Sequence, residues 1–87
     1  MSGQEYSVKD GDVVGRKSGN IILDDPGVSD PHARFRLNEE GDGFILWDFG
    51  TKSGTYINDE KITGATELKE NDVVMIGDSE MVWKLLQ

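Results

Sequence analysis

Residues 33–48 read ARFRLNEEGDGFILWD, and the fold class follows from this segment. From residue 33 to residue 38, Ala, Phe and Leu alternate with Arg, Arg and Asn, so every second side chain is apolar. Because successive side chains of a strand point to opposite faces, the alternation predicts a strand with one buried face. The polar, glycine-containing segment 38–43 predicts a short turn into a second strand over residues 44–48. Residues 33–48 are therefore predicted to form an antiparallel β-hairpin.

Short apolar runs separated by turn residues continue this pattern on both sides of the hairpin. They predict further strands at residues 13–14, 21–23, 55–57, 61–62, 67–68, 73–76 and 81–86. No window has the apolar spacing of a long helix. About eight or nine short strands with polar turns indicate an all-β chain, either a β-sandwich or a small barrel. We expect four aromatic side chains to lie in the core or to be partly buried: Phe35, Phe44, Trp47 and Trp83.

Composition restricts what this fold can do. The chain has 87 residues, enough for one domain, and 17 acidic against 9 basic residues give a formal charge of −8. That charge disfavours binding to nucleic acid or to anionic lipid. The longest apolar runs have four residues, far fewer than a membrane span needs. The N-terminus has no basic segment followed by an apolar one, which predicts a cytoplasmic protein.

The sequence offers weak support for catalysis, metal binding or a cofactor. There is no cysteine and only one histidine, so a structural zinc site is excluded. Ser29, Asp30 and His32 lie close in sequence, but the glycine that a nucleophile elbow needs after the serine is missing. The pair Asp24-Asp25 stands in a turn sequence, which is typical of solvated surface. No calcium loop or nucleotide-binding fingerprint is present. We therefore predict a protein that is not an enzyme and that carries no metal or cofactor.

Four short motifs occur in a characteristic order. Gly15-Arg16 ends the first predicted strand, residues 24–33 read DDPGVSDPHA, residues 48–58 read DFGTKSGTYIN, and residues 71–77 read NDVVMIG. Their order and spacing resemble the forkhead-associated (FHA) domain family, which carries Gly-Arg, Ser-x-x-His and Asp-x-Gly-Ser-x-Asn-Gly-Thr. The resemblance runs from about Val13 to Leu86. It implies an antiparallel β-sandwich of the SMAD/FHA-like type over residues 11–87, after an N-terminal extension at residues 1–10.

The same resemblance implies that loops at one end of the sandwich bind phosphothreonine in an extended peptide. The implied peptide-binding residues are Arg16, Ser29, Thr51, Lys52 and Ser53. The implied loop-supporting residues are Gly15, His32, Gly54, Thr55 and Asn58. Ser53 stands where the family usually has Asn, and Asp30 where it tends to have Arg or Asn. A phosphate dianion needs a guanidinium and several neutral donors, so the scheme requires Arg16 to lie near the turn that holds Ser29.

The predicted function is a phosphothreonine-peptide binding module that recruits phosphorylated partner proteins in Ser/Thr kinase signalling. The alternative is a domain that uses the same scaffold for phosphate-independent protein binding. In either case the expected partner is a protein or peptide, with no nucleic acid and no membrane, and the isolated domain is expected to be a monomer.

Overall fold

The structure, a computed structural model, describes residues 7–84. The strands in that range are β1 (Val13–Gly15), β2 (Ile21–Ile22), β3 (Ala33–Leu37), β4 (Phe44–Asp48), β5 (Thr55–Ile57), β6 (Glu60–Lys61), β7 (Ala65–Glu67), β8 (Val73–Ile76) and β9 (Ser79–Val82). The predicted all-β class is confirmed. Across residues 7–84 there is no helix with the length and apolar character to cross a membrane.

The hairpin predicted from residues 33–48 is confirmed with its boundaries. β3 and β4 pair antiparallel, from Ala33 opposite Asp48 to Leu37 opposite Phe44. The alternation acts as expected at Phe35, which is 4% exposed and faces the core, whereas the intervening arginines point to the other face.

Two sheets pack face to face as a sandwich. One has the strand order β2-β1-β3-β4-β7 and the other β6-β5-β8-β9. Buried side chains from both sheets and from the connecting loops form one core: Val14, Ile21, Leu23, Val28, Ala33, Phe35, Leu46, Ile57, Ile62, Leu68, Val74 and Ile76. The antiparallel sandwich expected from the sequence is confirmed, and it includes one parallel pair, β1 with β2. That pair forms because the β1–β2 loop (residues 16–20) turns back, so that Asn20 N–H donates to Val13 C=O at 2.8 Å.

Several strands begin one or two residues earlier than the sequence predicted. The last strand covers Ser79–Val82, whereas the prediction was residues 81–86. Residues 85 and 86 of that prediction lie outside the described residues. The predicted extension, residues 1–10, is described only from residue 7, and there Val8 packs against the core while Asp10 Oδ1 accepts a hydrogen bond from Leu37 N–H at 2.9 Å. The boundary at residue 11 stays a prediction.

Three of the four aromatic residues, Phe35, Phe44 and Trp83, pack in or against the core. Trp83 stacks on Phe35 with a centroid distance of 5.6 Å and meets the edge of Phe44 at 5.4 Å. Trp47 is different, because half of its surface is exposed. It neighbours the buried Leu46 on β4, and strand alternation therefore carries it to the outer face of the sheet. Trp47 is therefore partly buried, but it is not part of the core.

Four connections meet at one end of the sandwich, which we call the loop end. They are the β1–β2 loop (16–20), the β2–β3 loop (23–32), the β4–β5 loop (49–54) and the β8–β9 turn (77–78). The strand register brings them together, since Ala33 at the start of β3 lies opposite Asp48 at the end of β4. Likewise, Thr55 at the start of β5 lies opposite Ile76 at the end of β8.

Candidate functional site

The β1–β2 loop is fastened to the β2–β3 loop by Ser18 and Asp30. Asp30 Oδ1 accepts hydrogen bonds from the Ser18 hydroxyl at 2.8 Å and from its N–H at 3.3 Å. Gly15 allows this close approach, because a Cβ there would lie 2.3 Å from Asp30 Oδ1 and from Ser18 O. The loop that follows Gly15 carries Arg16, and the loop of Asp30 carries Ser29. These contacts therefore bring together the segments of Arg16 and Ser29, which the sequence analysis predicted to form one site.

The β4–β5 loop is fastened to the β2–β3 loop by Ser53. Its hydroxyl donates to Gly27 C=O at 2.8 Å, and the side chain is otherwise exposed. Ser53 thus contributes a bridge between the loops at the position where the family usually has Asn.

His32 lies beneath these loops and is fully buried. Its Nδ1 accepts a hydrogen bond from Ser29 N–H at 2.9 Å, and its Nε2 lies 3.1 Å from Gly54 C=O. Because Nδ1 is an acceptor, the ring proton belongs on Nε2, which donates to Gly54. The imidazole spans the β2–β3 and β4–β5 loops, and it is placed to support them.

The Asp48 carboxylate stabilises the β4–β5 loop by accepting hydrogen bonds from it. Its Oδ1 accepts from the hydroxyls of Thr51 and Thr55, each at 2.8 Å. Its Oδ2 accepts from the N–H groups of Gly50 and Thr51 at 2.8 and 2.9 Å. Burial raises the pKa of Asp48, but the hydrogen bonds from Thr55 and Thr51 outweigh it, so the pKa lies below the ordinary 3.8. Asp48 is a supporting residue to which the sequence motif alone assigned no role.

Asp25 fastens the β2–β3 loop to the β8–β9 turn. Its Oδ1 accepts from Gly27 N–H at 2.8 Å, while its Oδ2 accepts from Asp78 N–H at 2.8 Å and from the Ser79 hydroxyl at 3.0 Å. The hydrogen bond from Gly27 is the largest cause that lowers the pKa of Asp25, and the nearby charge of Arg16 lowers it further.

Asp24 is exposed and Asp25 is partly exposed, as the interpretation of the pair as surface predicted, but the Asp25 carboxylate has a structural role that the prediction missed, because it links two connections. The signal that could have identified it is the order Asp25-Pro26-Gly27, in which an aspartate side chain accepts from the N–H two residues later.

Two donors at the loop end have no protein partner among residues 7–84. The Arg16 side chain is half-buried, and its Nε is shielded from solvent without a hydrogen bond in that range. The Ser29 hydroxyl also makes no hydrogen bond to the described residues, although Ser29 N–H is used by His32. Lys52 is exposed on the β4–β5 loop. A buried guanidinium nitrogen without a partner is costly, which favours a site that receives an anion.

Three further predicted site residues stabilise the β4–β5 loop or the start of β5. The Thr51 hydroxyl donates to Asp48 and accepts from Gly54 N–H at 3.0 Å, so its proton is already used inside the loop. Thr55 is fully buried against Asp48. Gly54 has a φ of +82°, a conformation that L side chains rarely adopt.

Asn58 lies away from the loop end. It occupies the β5–β6 turn with a φ of 51°, its Nδ2 donates to Asp72 Oδ1 at 2.8 Å, and its Oδ1 accepts from Val73 N–H at 2.9 Å. Asn58 therefore supports the turn at the opposite end of β5.

The donor set fits an anion better than a metal ion. Residues 7–84 contain no group of three or more His, Cys, Asp or Glu side chains that could hold a metal. What the loop end presents is a guanidinium, a free hydroxyl and an exposed ammonium on three connected segments. Such a set can bind an oxyanion through charge-assisted hydrogen bonds.

Comparison with known proteins gives a consistent family. The model of the FHA domain matches residues 12–77. The glycogen accumulation regulator GarA of Mycolicibacterium smegmatis is 44% identical over 64 residues, which cover 74% of this chain and 39% of GarA. The chain spans about two fifths of the length of the curated relatives it matches.

Two solved structures have the same architecture. One, described under a structural and functional analysis of phosphothreonine-dependent FHA domain interactions, has a TM-score of 0.87 and 28% identity, and the match covers 99% of this chain and 88% of that one. The other is the FhaA FHA domain complexed with the intracellular domain of Rv3910, with a TM-score of 0.82 and 30% identity over 93% of this chain and 88% of that one.

Proposed function

The chain belongs to the FHA family, and we propose that it is a binding module for phosphothreonine in peptides or proteins, with the phosphate held at the loop end. The observation that carries this proposal is the shielded, unpartnered Nε of Arg16 on a loop fastened to the segment of Ser29. The guanidinium supplies the charge, and the Ser29 hydroxyl supplies a neutral donor. In Thr51-Lys52-Ser53, Lys52 adds a second cation and the other two residues border the peptide.

The physical chemistry of phosphate supports this assignment. A phosphothreonine carries a charge near −2 at pH 7 and three strong acceptor oxygens. Each charge-assisted hydrogen bond contributes about 1.5–3 kcal/mol. The loops are already joined by Ser18, Ser53 and His32, so little ordering is needed when the ligand binds.

The proposal covers a binding protein and not an enzyme. GarA is named a regulator and FhaA is described in complex with another protein's domain, which fits recruitment of a partner. A module of this kind would act in Ser/Thr kinase signalling, in the cytoplasm, as a monomer that binds neither nucleic acid nor membrane. Any activity of a longer protein that contains this chain would come from its other parts.

The decisive experiment compares Arg16→Ala with Lys69→Ala in titrations against a phosphothreonine peptide library. Both variants remove one exposed or half-exposed cation, but Lys69 lies in the β7–β8 connection, away from the loop end. We expect Arg16→Ala to weaken binding by about 100-fold or more, since two contacts of about 1.5–3 kcal/mol are lost. Lys69→Ala should bind as the wild type does. Equal affinity of wild type and Arg16→Ala would reject the site.

The pH of the titration gives a second readout. The phosphate loses its second charge near pH 6, so affinity should fall below that pH. The circular dichroism of both variants at each pH serves as the control for folding.

The alternative, phosphate-independent binding on the same scaffold, is favoured by Ser53 and Asp30. Ser53 uses its hydroxyl to bond Gly27, so it lacks the free amide of the usual Asn, and Asp30 adds a carboxylate near the site. The unphosphorylated twin of each peptide distinguishes the two functions, because equal binding of both twins would select the alternative.

A further inference from the structure

The outer face of the five-stranded sheet carries large exposed apolar side chains beside the loop end. Trp47 and Ile22 are each 50% exposed, and Phe49 is 42% exposed. Ile22 follows the buried Ile21, so strand alternation turns it outward. Phe49 directly follows β4 as the first residue of the β4–β5 loop, and its exposed side chain lies next to this face in the chain.

A cation lies in the middle of this surface. The strand register places Arg34 directly opposite Trp47 on one side and Val13 on the other. Arg34 Nε donates to Gly11 C=O at 3.2 Å, which fixes the side chain along the sheet. Among residues 7–84 the guanidinium makes no ion pair within 4.0 Å, although its charge is near enough to Asp10 to help lower the pKa of that carboxylate. We call Ile22, Val13, Arg34, Trp47 and Phe49 the outer-face patch.

The patch adjoins the proposed phosphate site. Ile22 pairs with Gly15, the residue before Arg16. Phe49 is the first residue of the β4–β5 loop, which also carries Thr51 and Lys52. Neighbouring strands are about 4.8 Å apart, so the three strand spacings from β2 to β4 make the patch about 14 Å wide. A partner seated at the loop end can therefore reach the patch, passing Ser18 and Asp30, which lie over Gly15.

We propose that the outer-face patch is a second docking surface for the phosphorylated partner, and that it takes a segment with apolar and acidic side chains outside the phosphothreonine motif. This inference rests on the proposed function. The apolar side chains of the segment would cover Trp47 and Phe49, and a carboxylate would pair with Arg34. An aromatic residue flanked by an arginine is typical of the centre of a protein interface.

The test uses four synthetic peptides. Two are short, one with phosphothreonine and one with threonine. The other two have the same central sequence, with a segment of eight residues made of Glu, Leu and Phe added at each end. We expect the extended phosphopeptide to bind about tenfold more tightly than the short one, a difference of about 1.4 kcal/mol. Trp47→Ser and Arg34→Gln should lose this gain while their affinity for the short phosphopeptide is unchanged.

Val82→Ser is the matched control, because Val82 is 55% exposed on the other sheet and lies outside the patch. It should keep the full gain. A gain that survives in Trp47→Ser, or no gain from the extension, would overturn the proposal.

A second measurement keeps the two proposals separate. In a ¹⁵N spectrum, the unphosphorylated extended peptide at high concentration should shift the indole resonance of Trp47 and the amides of Phe49 and Ile22. If no phosphopeptide binds but these shifts occur, the phosphate site fails, and the patch is shown to bind the segment but not as a second surface for a phosphorylated partner. If the short phosphopeptide binds and no shifts occur, the patch fails alone. Self-association that Trp47→Ser abolishes would assign the patch to a second copy of the chain and also overturn the proposal.

Discussion

At the scale of single residues, the loop end depends on side chains that connect loops distant in sequence. His32 joins Ser29 to Gly54, which lies 22 residues away along the chain. Removing the imidazole would leave a buried N–H and a buried C=O without partners, and unsatisfied buried groups cost about 1–3 kcal/mol each. The position of Ser29 is therefore set by a residue that does not itself need to touch the ligand.

Gly15 provides a residue-scale prediction about space. A methyl group at this position would collide with the backbone oxygen of Ser18 and with Asp30, both at 2.3 Å. Gly15→Ala should therefore displace the loop that carries Arg16. We expect the free energy of unfolding to fall by about 1–3 kcal/mol, together with a loss of phosphopeptide affinity of about tenfold. Urea unfolding and peptide titration measure the two effects.

Gly50→Ala is the control for that experiment. Gly50 has a φ of +77°, and a methyl group added there would have no neighbouring atom within 4 Å. The substitution therefore adds backbone strain of about 1–2 kcal/mol without a collision. It should lower stability with a smaller effect on binding. A Gly15→Ala protein that binds like the wild type would show that the close approach of the two loops is dispensable.

At the scale of elements, two carboxylates stabilise the connections at the loop end through hydrogen bonds. Asp48 accepts four hydrogen bonds from the β4–β5 loop and the start of β5, and Asp25 links the β2–β3 loop to the β8–β9 turn. The charged form of each carboxylate is thus the one that the fold favours.

The lowered pKa values predict how the free energy of unfolding changes at acidic pH. The pKa values of Asp48 and Asp25 are lowered in the folded state, so their contribution to the free energy of unfolding is complete above the ordinary value of 3.8 and is lost as the pH falls through the lowered values. Urea unfolding between about pH 2 and 7 should show a steep loss of stability below about pH 4.

Asp48→Asn tests which carboxylate is responsible. The variant should be less stable than the wild type at pH 7 and should lose less stability on acidification, because one of the titrating groups is gone. Parallel curves for the two proteins would mean that Asp48 does not contribute to the acid transition.

At the scale of the whole molecule, the net charge has the same sign as the proposed ligand. The chain has 17 acidic and 9 basic residues, yet the proposed ligand is an anion. The proposed binding would therefore depend on a local group of donors at the loop end and not on the overall field. The same excess of acidic residues makes the folded state repel itself.

Salt should accordingly stabilise the protein. Raising NaCl from about 0.02 to 0.5 M screens like charges, and relief of about 1 kcal/mol would raise the Tm by roughly 4–8 °C for a domain of this size. A variant with Glu39→Lys and Glu40→Lys, whose formal charge rises from −8 to −4 because each change adds two units, should respond less. A Tm that falls with salt would mean that attractive pairs outweigh the repulsion.

The strands and the family could be predicted from the sequence alone. The alternation over residues 33–48 was sufficient to predict β3, β4 and their antiparallel pairing, since the period of two is a local property. The order of the Gly-Arg, Ser-x-x-His and Gly-Thr motifs was sufficient to predict a candidate site on loops, and the structure brings the loops that carry Arg16, Ser29 and Thr51 together. Parallel pairing of β1 with β2 was missed, because it depends on how the β1–β2 loop turns back.

Which side chains these loops bring together depends on the three-dimensional packing. The contacts of Ser18 with Asp30, Ser53 with Gly27 and Asp25 with Asp78 span 12, 26 and 53 positions of the chain. The exposure of Trp47 also depends on the three-dimensional packing. An aromatic residue in the sequence does not indicate which face of its sheet is covered by the other sheet. Local sequence patterns determine on which face of a strand each side chain lies. The packing of the two sheets determines whether that face is buried or exposed.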